Sequence, residues 1–321
     1  MLDILFHLLL MAVGLAILIK GADLLISGAS GLARRAGISD MVIGLTVVAL
    51  GTSLPELTIN LLASLRGASG ITMGNVVGSN ITNILLILGI AAIIKPLRVS
   101  RAFVRKEIPL NFLATGILLA MVMDPFLDGF SEPILTRSEG LVLMITFIGY
   151  VYFLAAFLER NHSSGSTMPL KKALLYIVIG VPALIIGSRM VVNSGIHISE
   201  LLGISQAFVG LFFIAVGTSL PELITSAVAA YRGKPDIALG NVAGSNLFNI
   251  SLVLGSSALV HPIPVPPLIY RDLIFLIIAT FALLLAYRTG PGRSISRGEG
   301  ILFVAMYIAY MLYSWHLELI H

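Results

Sequence analysis

Ten stretches of this chain are each long and apolar enough to cross a lipid bilayer, and little of the remaining sequence could build a water-facing domain. A spanning helix needs about 20 apolar residues. Such stretches fall at 3–33, 40–66, 70–94, 105–123, 138–158, 170–194, 204–231, 237–260, 269–287 and 298–315. Of the 321 residues 57% are hydrophobic and only 11% charged, with mean hydropathy +1.00. A soluble domain carries roughly 25% charged residues to face water. Lipid is therefore the expected solvent, and the expected fold is an all-α integral membrane bundle of about ten helices. The first stretch runs past Leu10 through Ile26, longer than the apolar part of a cleavable signal. With no cysteine there is neither a disulfide framework nor a thiolate metal site. The six histidines, His7, His162, His197, His261, His316 and His321, form no H-x-x-x-H pair, which argues against zinc.

The basic residues are sorted by loop. Arg34, Arg35, Lys95, Arg98, Arg101, Arg105, Lys106, Arg160, Lys171, Lys172, Arg232, Lys234, Arg288, Arg293 and Arg297 all follow odd-numbered stretches, fifteen of the twenty Lys and Arg. The opposite loops hold Arg66, Arg137 and Arg271, together with the acidic Asp124, Asp128 and Glu132. Cytoplasmic loops carry the excess of Lys and Arg, so both termini are expected outside the cytoplasm. The net charge of +4 then reflects loop placement, and no nucleic-acid partner is expected.

One unit occurs twice. Gly51-Thr52-Ser53-Leu54-Pro55-Glu56-Leu57 returns as Gly217-Thr218-Ser219-Leu220-Pro221-Glu222-Leu223, an offset of 166. Gly74-Asn75-Val76 and Gly78-Ser79-Asn80 return as Gly240-Asn241-Val242 and Gly244-Ser245-Asn246, and Asn83 as Asn249. Nearly half the positions of 40–96 and 206–262 agree without a gap. Internal repeats of this kind dictate architecture. Five stretches precede the polar linker 160–169 and five follow it. An odd number of helices inverts the second copy, and inverted repeats place a substrate near the midplane where the copies meet. The expected units are 1–159, the linker 160–169, placed in the cytoplasm, and 170–321.

Most of the sixteen Asp and Glu fall in loops or near helix ends, whereas Glu56 and Glu222 lie deep in the second and seventh stretches and are repeat mates. A carboxylate at that depth costs at least about 2.5–3.5 kcal/mol, and two would repel. A cation between them removes both penalties. Ser53-x-x-Glu56 and Ser219-x-x-Glu222 also fit a capping box for helices restarting at Pro55 and Pro221, a purely structural role. The two roles are compatible, because a helix break at membrane depth frees carbonyls to line a cavity. Thr, Glu and carbonyl oxygens suit a hard cation, and Ca2+ takes six to eight. Asn75, Ser79 and Asn83, like Asn241, Ser245 and Asn249, recur every four residues and form polar stripes, read either as interhelical hydrogen bonding or as cavity lining. Gly74 with Gly78 and Gly240 with Gly244 are spaced for close helix packing. Asp23 and Arg189, also repeat mates, are expected to form a structural ion pair or to snorkel, with Lys20 a local partner for Asp23.

Gly-Thr-Ser-Leu-Pro-Glu followed by Gly-Asn-x-x-Gly-Ser-Asn, both in two copies, resembles the alpha repeats of the Na+/Ca2+ exchanger family, of prokaryotic type, within the cation/Ca2+ exchanger superfamily. The resemblance implies helices 2, 3, 7 and 8 in a diamond, with helices 2 and 7 broken and the long helices 1 and 6 sliding across them. It implies Ca2+ on Glu56, Glu222, Thr52 and Thr218. Flanking Na+ sites would use Ser53, Ser219, Ser79, Ser245 and the backbone oxygens of Ala49 and Ala215, and Asn83 and Asn249 would line the middle. Many members carry Asp at one of the last two positions. Here both are Asn, so the pocket offers two negative charges instead of three.

The expected activity is secondary antiport of Ca2+ against Na+ by alternating access. A Ca2+/H+ antiporter on the same fold is the alternative, and a passive cation channel a more distant one. Enzymatic activity, a cofactor and an obligate protein partner are not expected. The compact chain suggests a prokaryotic inner or plasma membrane.

Overall fold

The computed structural model describes residues 2–65, 70–101, 103–123, 133–156, 168–201, 215–267, 269–290 and 293–320. Arg66, the acidic loop 124–132, most of the linker 160–169 and residues 204–214 of the seventh stretch lie outside the described residues. The elements follow the apolar stretches. The first is the single long helix α1 (Leu2–Ala36). The second is broken into α2 (Asp40–Ile43), a wide π turn (Gly44–Val48), α3 (Ala49–Thr52) and α4 (Leu54–Leu65). The third comprises α5 (Gly70–Ile81), a π turn (Thr82–Ile87) and α6 (Leu88–Ile94). A π turn (Phe103–Glu107) leads into α7 (Ile108–Val122), and α8 (Arg137–Ala156) follows. After the linker come α9 (Leu170–Leu201), α10 (Ala215–Thr218), α11 (Leu220–Tyr231), α12 (Pro235–Phe248), a π turn (Asn249–Leu254), α13 (Gly255–Val260), α14 (Ile269–Thr289) and α15 (Arg297–Ile320).

Among the described residues six helices are long and apolar enough to cross a membrane, or seven counting the bent pair Asp40–Thr52 and Leu54–Leu65 as one span. The protein is an integral membrane protein. Leu141, Ile145, Ile148 and Tyr152 are more than half exposed along one face of α8, the spacing of a lipid-facing stripe. The remaining expected stretches are helical but do not qualify by length and composition alone. The fourth begins with Arg105, Lys106 and Glu107, the seventh is only partly described, and the tenth lies within α15.

The helix breaks follow from the sequence. Ser53 (φ −84°, ψ 5°) and Ser219 (φ −89°, ψ 7°) sit in the sparsely allowed bridge region. Pro55 and Pro221 then remove the N–H that would reach back four residues, which frees the carbonyls of Gly51 and Gly217. The Gly217 carbonyl is taken instead by Ser188 Oγ of α9 at 2.8 Å.

Helices α1 and α9 run antiparallel along a seam of glycines spaced by seven, a contact that the apolar pattern of the two stretches does not announce. A Cβ at Gly14 would lie 3.0 Å from the Gly187 carbonyl, one at Gly21 3.1 Å from the Gly180 carbonyl, and one at Gly28 2.6 Å from the Ala173 carbonyl. Backbones that close leave no room for a side chain. Past the seam His7 stacks on His197 with centroids 4.0 Å apart.

A second set of glycines locks one half of the chain to the other. A Cβ at Gly300 of α15 would meet the Gly89 carbonyl at 2.7 Å, and one at Gly140 of α8 the Gly255 carbonyl at 2.9 Å. Short antiparallel ribbons repeat the exchange. β1 (Leu97–Arg98) pairs with β4 (Ser294–Ile295), and β2 (Ile134–Leu135) with β3 (Ile263–Pro264). Gly240 and Gly244 pack closely as expected, against the carbonyls of Met41 and Leu45, each at 2.7 Å. Gly74 and Gly78 do not: among the described residues nothing lies within 4 Å of a Cβ there.

The expected Asp23–Arg189 pair is not formed. Asp23 pairs with Arg232, from the turn between α11 and α12. Arg232 also donates to Ser27, and Lys234 bonds Ser30 at 2.5 Å and Asp40 at 3.3 Å, so this turn is clipped to α1 and the start of α2. Repeat symmetry pointed to the wrong arginine because a turn from the other half reaches Asp23 first. Arg189 is exposed and, among the described residues, without an ion pair. In a double-mutant cycle read by thermal unfolding in detergent, Asp23→Asn and Arg232→Gln should show coupling of up to about 1 kcal/mol, the ceiling for a part-exposed pair. The cycle of Asp23 with Arg189 should show none.

Candidate functional site

Glu56, in the first turn of α4, and Glu222, in the first turn of α11, are 2% and 1% exposed. Each stands three residues past its helix break, where the motif places it, and the two carboxylates repel one another across the pocket. The serine at the break does not cap its own helix: Ser219 makes no side-chain cap bond. Ser53 reaches instead into the other half. Its Oγ donates to Glu222 Oε1 at 2.9 Å and lies 3.0 Å from Ser245 Oγ, itself 3.4 Å from the same carboxylate oxygen. Ser219 Oγ meets Ser79 Oγ at 3.4 Å. Thr52 Oγ1 lies 3.1 Å from Asn241 Oδ1 and 3.2 Å from the Ala49 carbonyl. That carbonyl also accepts from the Ser53 N–H at 3.0 Å, so Ala49 O keeps a donor even when the single Thr52 proton goes to Asn241. Ala215 opens α10; its side chain lies outside the described set.

Asn83 and Asn249 sit at the start of matching π turns, which pack against α11 and α4 respectively. A π turn inserts one residue per turn and is common at functional sites. Asn83 donates its amide to Asn246 Oδ1 at 2.9 Å, and Asn249 to Asn80 Oδ1 at 3.0 Å. Asn75 and Asn241 play a bracing role, bonding Asn60 at 3.3 Å and Ser226 at 3.0 Å on the preceding helices.

Buried polar atoms are nearly always hydrogen-bonded, and each orphan costs about 1–3 kcal/mol. Among the described residues four carboxylate or amide oxygens are buried with no partner: Glu56 Oε2, Glu222 Oε2, Asn83 Oδ1 and Asn249 Oδ1. All four belong to residues the sequence singled out. Thr218 Oγ1, the mate of the bonded Thr52, is orphaned too. Unsatisfied oxygens from both halves, two of them on carboxylates, form a donor set suited to a hard cation. Beside them a cavity of about 170 Å3 is lined by Pro55, Ile59, Ser188, Arg189, Asn193 and Thr218.

Three features are not apparent from the sequence alone. Asn80 and Asn246 figure there only as motif letters, although their recurrence after Gly-Ser is an available signal. The π turns leave no mark in an apolar pattern. Glu107, read as a helix-end carboxylate, is 5% exposed with the Tyr150 hydroxyl at 3.4 Å, so Glu56 and Glu222 are not the only buried carboxylates.

Sequence comparison matches residues 6–156 and 172–316 to the family described as sodium/calcium exchanger protein. The chain belongs to the sodium/calcium exchanger family. It is 36% identical over 311 residues to the putative antiporter CaxA of Alkalimonas amylolytica, covering 93% of this chain and 95% of that one. It is 33% identical over 342 residues to the sodium/calcium exchanger MaX1 of Methanosarcina acetivorans, covering 95% and 97%. A solved structure of the sodium-calcium exchanger NCX_Mj, soaked with Na+ and without Ca2+, superposes with a TM-score of 0.82 at 30% identity, over 96% of this chain and 99% of that one.

Were a divalent cation held between the two carboxylates, removing one would leave one of its two positive charges uncompensated, at about 3 kcal/mol or more. That is over about 100-fold in apparent affinity. Glu56→Gln and Glu222→Gln should therefore each abolish 45Ca2+ uptake into proteoliposomes while the purified protein stays monodisperse. Near-normal uptake by either variant would remove the central assignment.

Proposed function

We propose that the chain exchanges Ca2+ for Na+ across a prokaryotic inner or plasma membrane by alternating access. The observation that carries this reading is the set of orphaned oxygens on Glu56, Glu222, Asn83 and Asn249, buried where the two halves cross. In this reading the fold is ten helices in two inverted five-helix repeats, 1–159 and 170–321, joined through 160–169, with both termini outside the cytoplasm. The antiparallel course of α1 and α9 supports the inversion, and the loop charges support the orientation.

Ca2+ is held between Glu56 and Glu222, with Thr52 and Thr218 completing its shell and the amide oxygens of Asn83 and Asn249 beside it. Na+ takes places flanked by Ser53, Ser245, Ser79 and Ser219 and by the carbonyls of Ala49 and Ala215. The cavity beside Thr218 is the water path to one face, and movement of α1 and α9 together across the broken helices opens the other. A low-dielectric pocket tolerates little uncompensated charge. Two carboxylates balance one Ca2+ or two monovalent ions, so exchange is close to electroneutral, with two Na+ per Ca2+.

Uptake of 45Ca2+ into proteoliposomes, driven in turn by outward Na+, K+ and H+ gradients, tests the reading. Uptake should require the Na+ gradient. Uptake driven by the pH gradient would replace Na+ by H+ as the coupling ion, and uptake with no counter-gradient would make the protein a channel. Moving one charge is worth about 2.3 kcal/mol per 100 mV. A K+–valinomycin potential should therefore change the rate little once K+ coupling is excluded, and a strong response would overturn the stoichiometry.

A further inference from the structure

Four asparagines tie each π turn to the helix that precedes the other. Asn249 donates Nδ2 to Asn80 Oδ1 at 3.0 Å, Asn83 donates Nδ2 to Asn246 Oδ1 at 2.9 Å, and Asn80 donates Nδ2 to the Asn246 backbone carbonyl at 3.2 Å. All four residues are at most 3% exposed. The direction of the Asn80–Asn249 bond is forced. A backbone carbonyl only accepts, so Asn80 must offer it nitrogen and must turn its own oxygen to Asn249. Asn249 must then answer with nitrogen, and its oxygen is left pointing away from the pair, with no partner among the described residues. Asn83 donates to Asn246 in the same sense, and its oxygen is also left over, but among the described residues no backbone carbonyl accepts from the Asn246 amide to fix it as Asn80 is fixed.

We infer that Asn80 is a positioning residue that fixes which way round the Asn249 amide sits, so that the cation meets its oxygen there. The inference rests on the reading of Glu56 and Glu222 as the cation site. It adds to that reading the residue that aims one of the pocket's neutral oxygens.

The test uses full-length protein in proteoliposomes, with Na+-driven 45Ca2+ uptake measured as KM and maximal rate. Loss of an outer partner of a ligand costs 10–100-fold in ion affinity. Asn80→Ala should therefore raise the KM for Ca2+ about tenfold with a smaller change in maximal rate; should it fail to fold, Asn80→Ser is read for the same shift. An unchanged KM, or a maximal rate that falls as far as the KM rises, overturns the inference. Exchange surviving in Glu56→Gln, by contrast, removes the cation-site reading beneath it.

Discussion

Two carboxylates buried in apolar surroundings and repelling one another are the constraint around which this protein is arranged. Among the described residues neither Glu56 nor Glu222 has a basic side chain to neutralise it, and two hydroxyls gather at Glu222, that of Ser53 from the opposite half and that of Ser245 from its own. In hydrocarbon such an arrangement is costly unless something positive occupies it. The helix breaks, the π turns and the interlocked glycines all serve to bring oxygen from both halves to one place at membrane depth.

Symmetry makes that convergence economical. A motif that puts a break, a proline and a glutamate in one order delivers a carboxylate from each side when it occurs twice. The two copies are not equivalent in detail. Thr52 is bonded to Asn241 while Thr218 has no partner among the described residues, and the 170 Å3 cavity lies on the Thr218 side. The pocket thus has matched halves and unmatched surroundings.

The sequence made the broken helices and most pocket residues legible, because a carboxylate at bilayer depth is expensive and the repeat supplied it twice in register. Residues that act by side-chain reach were not legible. Asp23 meets Arg232 because a turn carrying a left-handed glycine, Gly233 at φ +72°, folds back over α1, and no periodicity encodes that path. Asn80 and Asn246 fall outside the four-residue stripe of Asn75, Ser79 and Asn83, and only the π turn brings their partners opposite them. The α1–α9 seam escaped because its spacing of seven was hidden in an apolar run, where glycine reads as just another small residue.

The two small ribbons limit how the halves can move. Each joins a strand following a third helix to a strand preceding a last helix of the other half, and on the proposed loop assignment they sit at opposite membrane faces. Two pins fix a line, and bodies pinned at both ends of a line keep only rotation about it. Rotation about that line is the freedom the ribbons leave to the two halves, while the glycine seam joins α1 and α9 into a single plank.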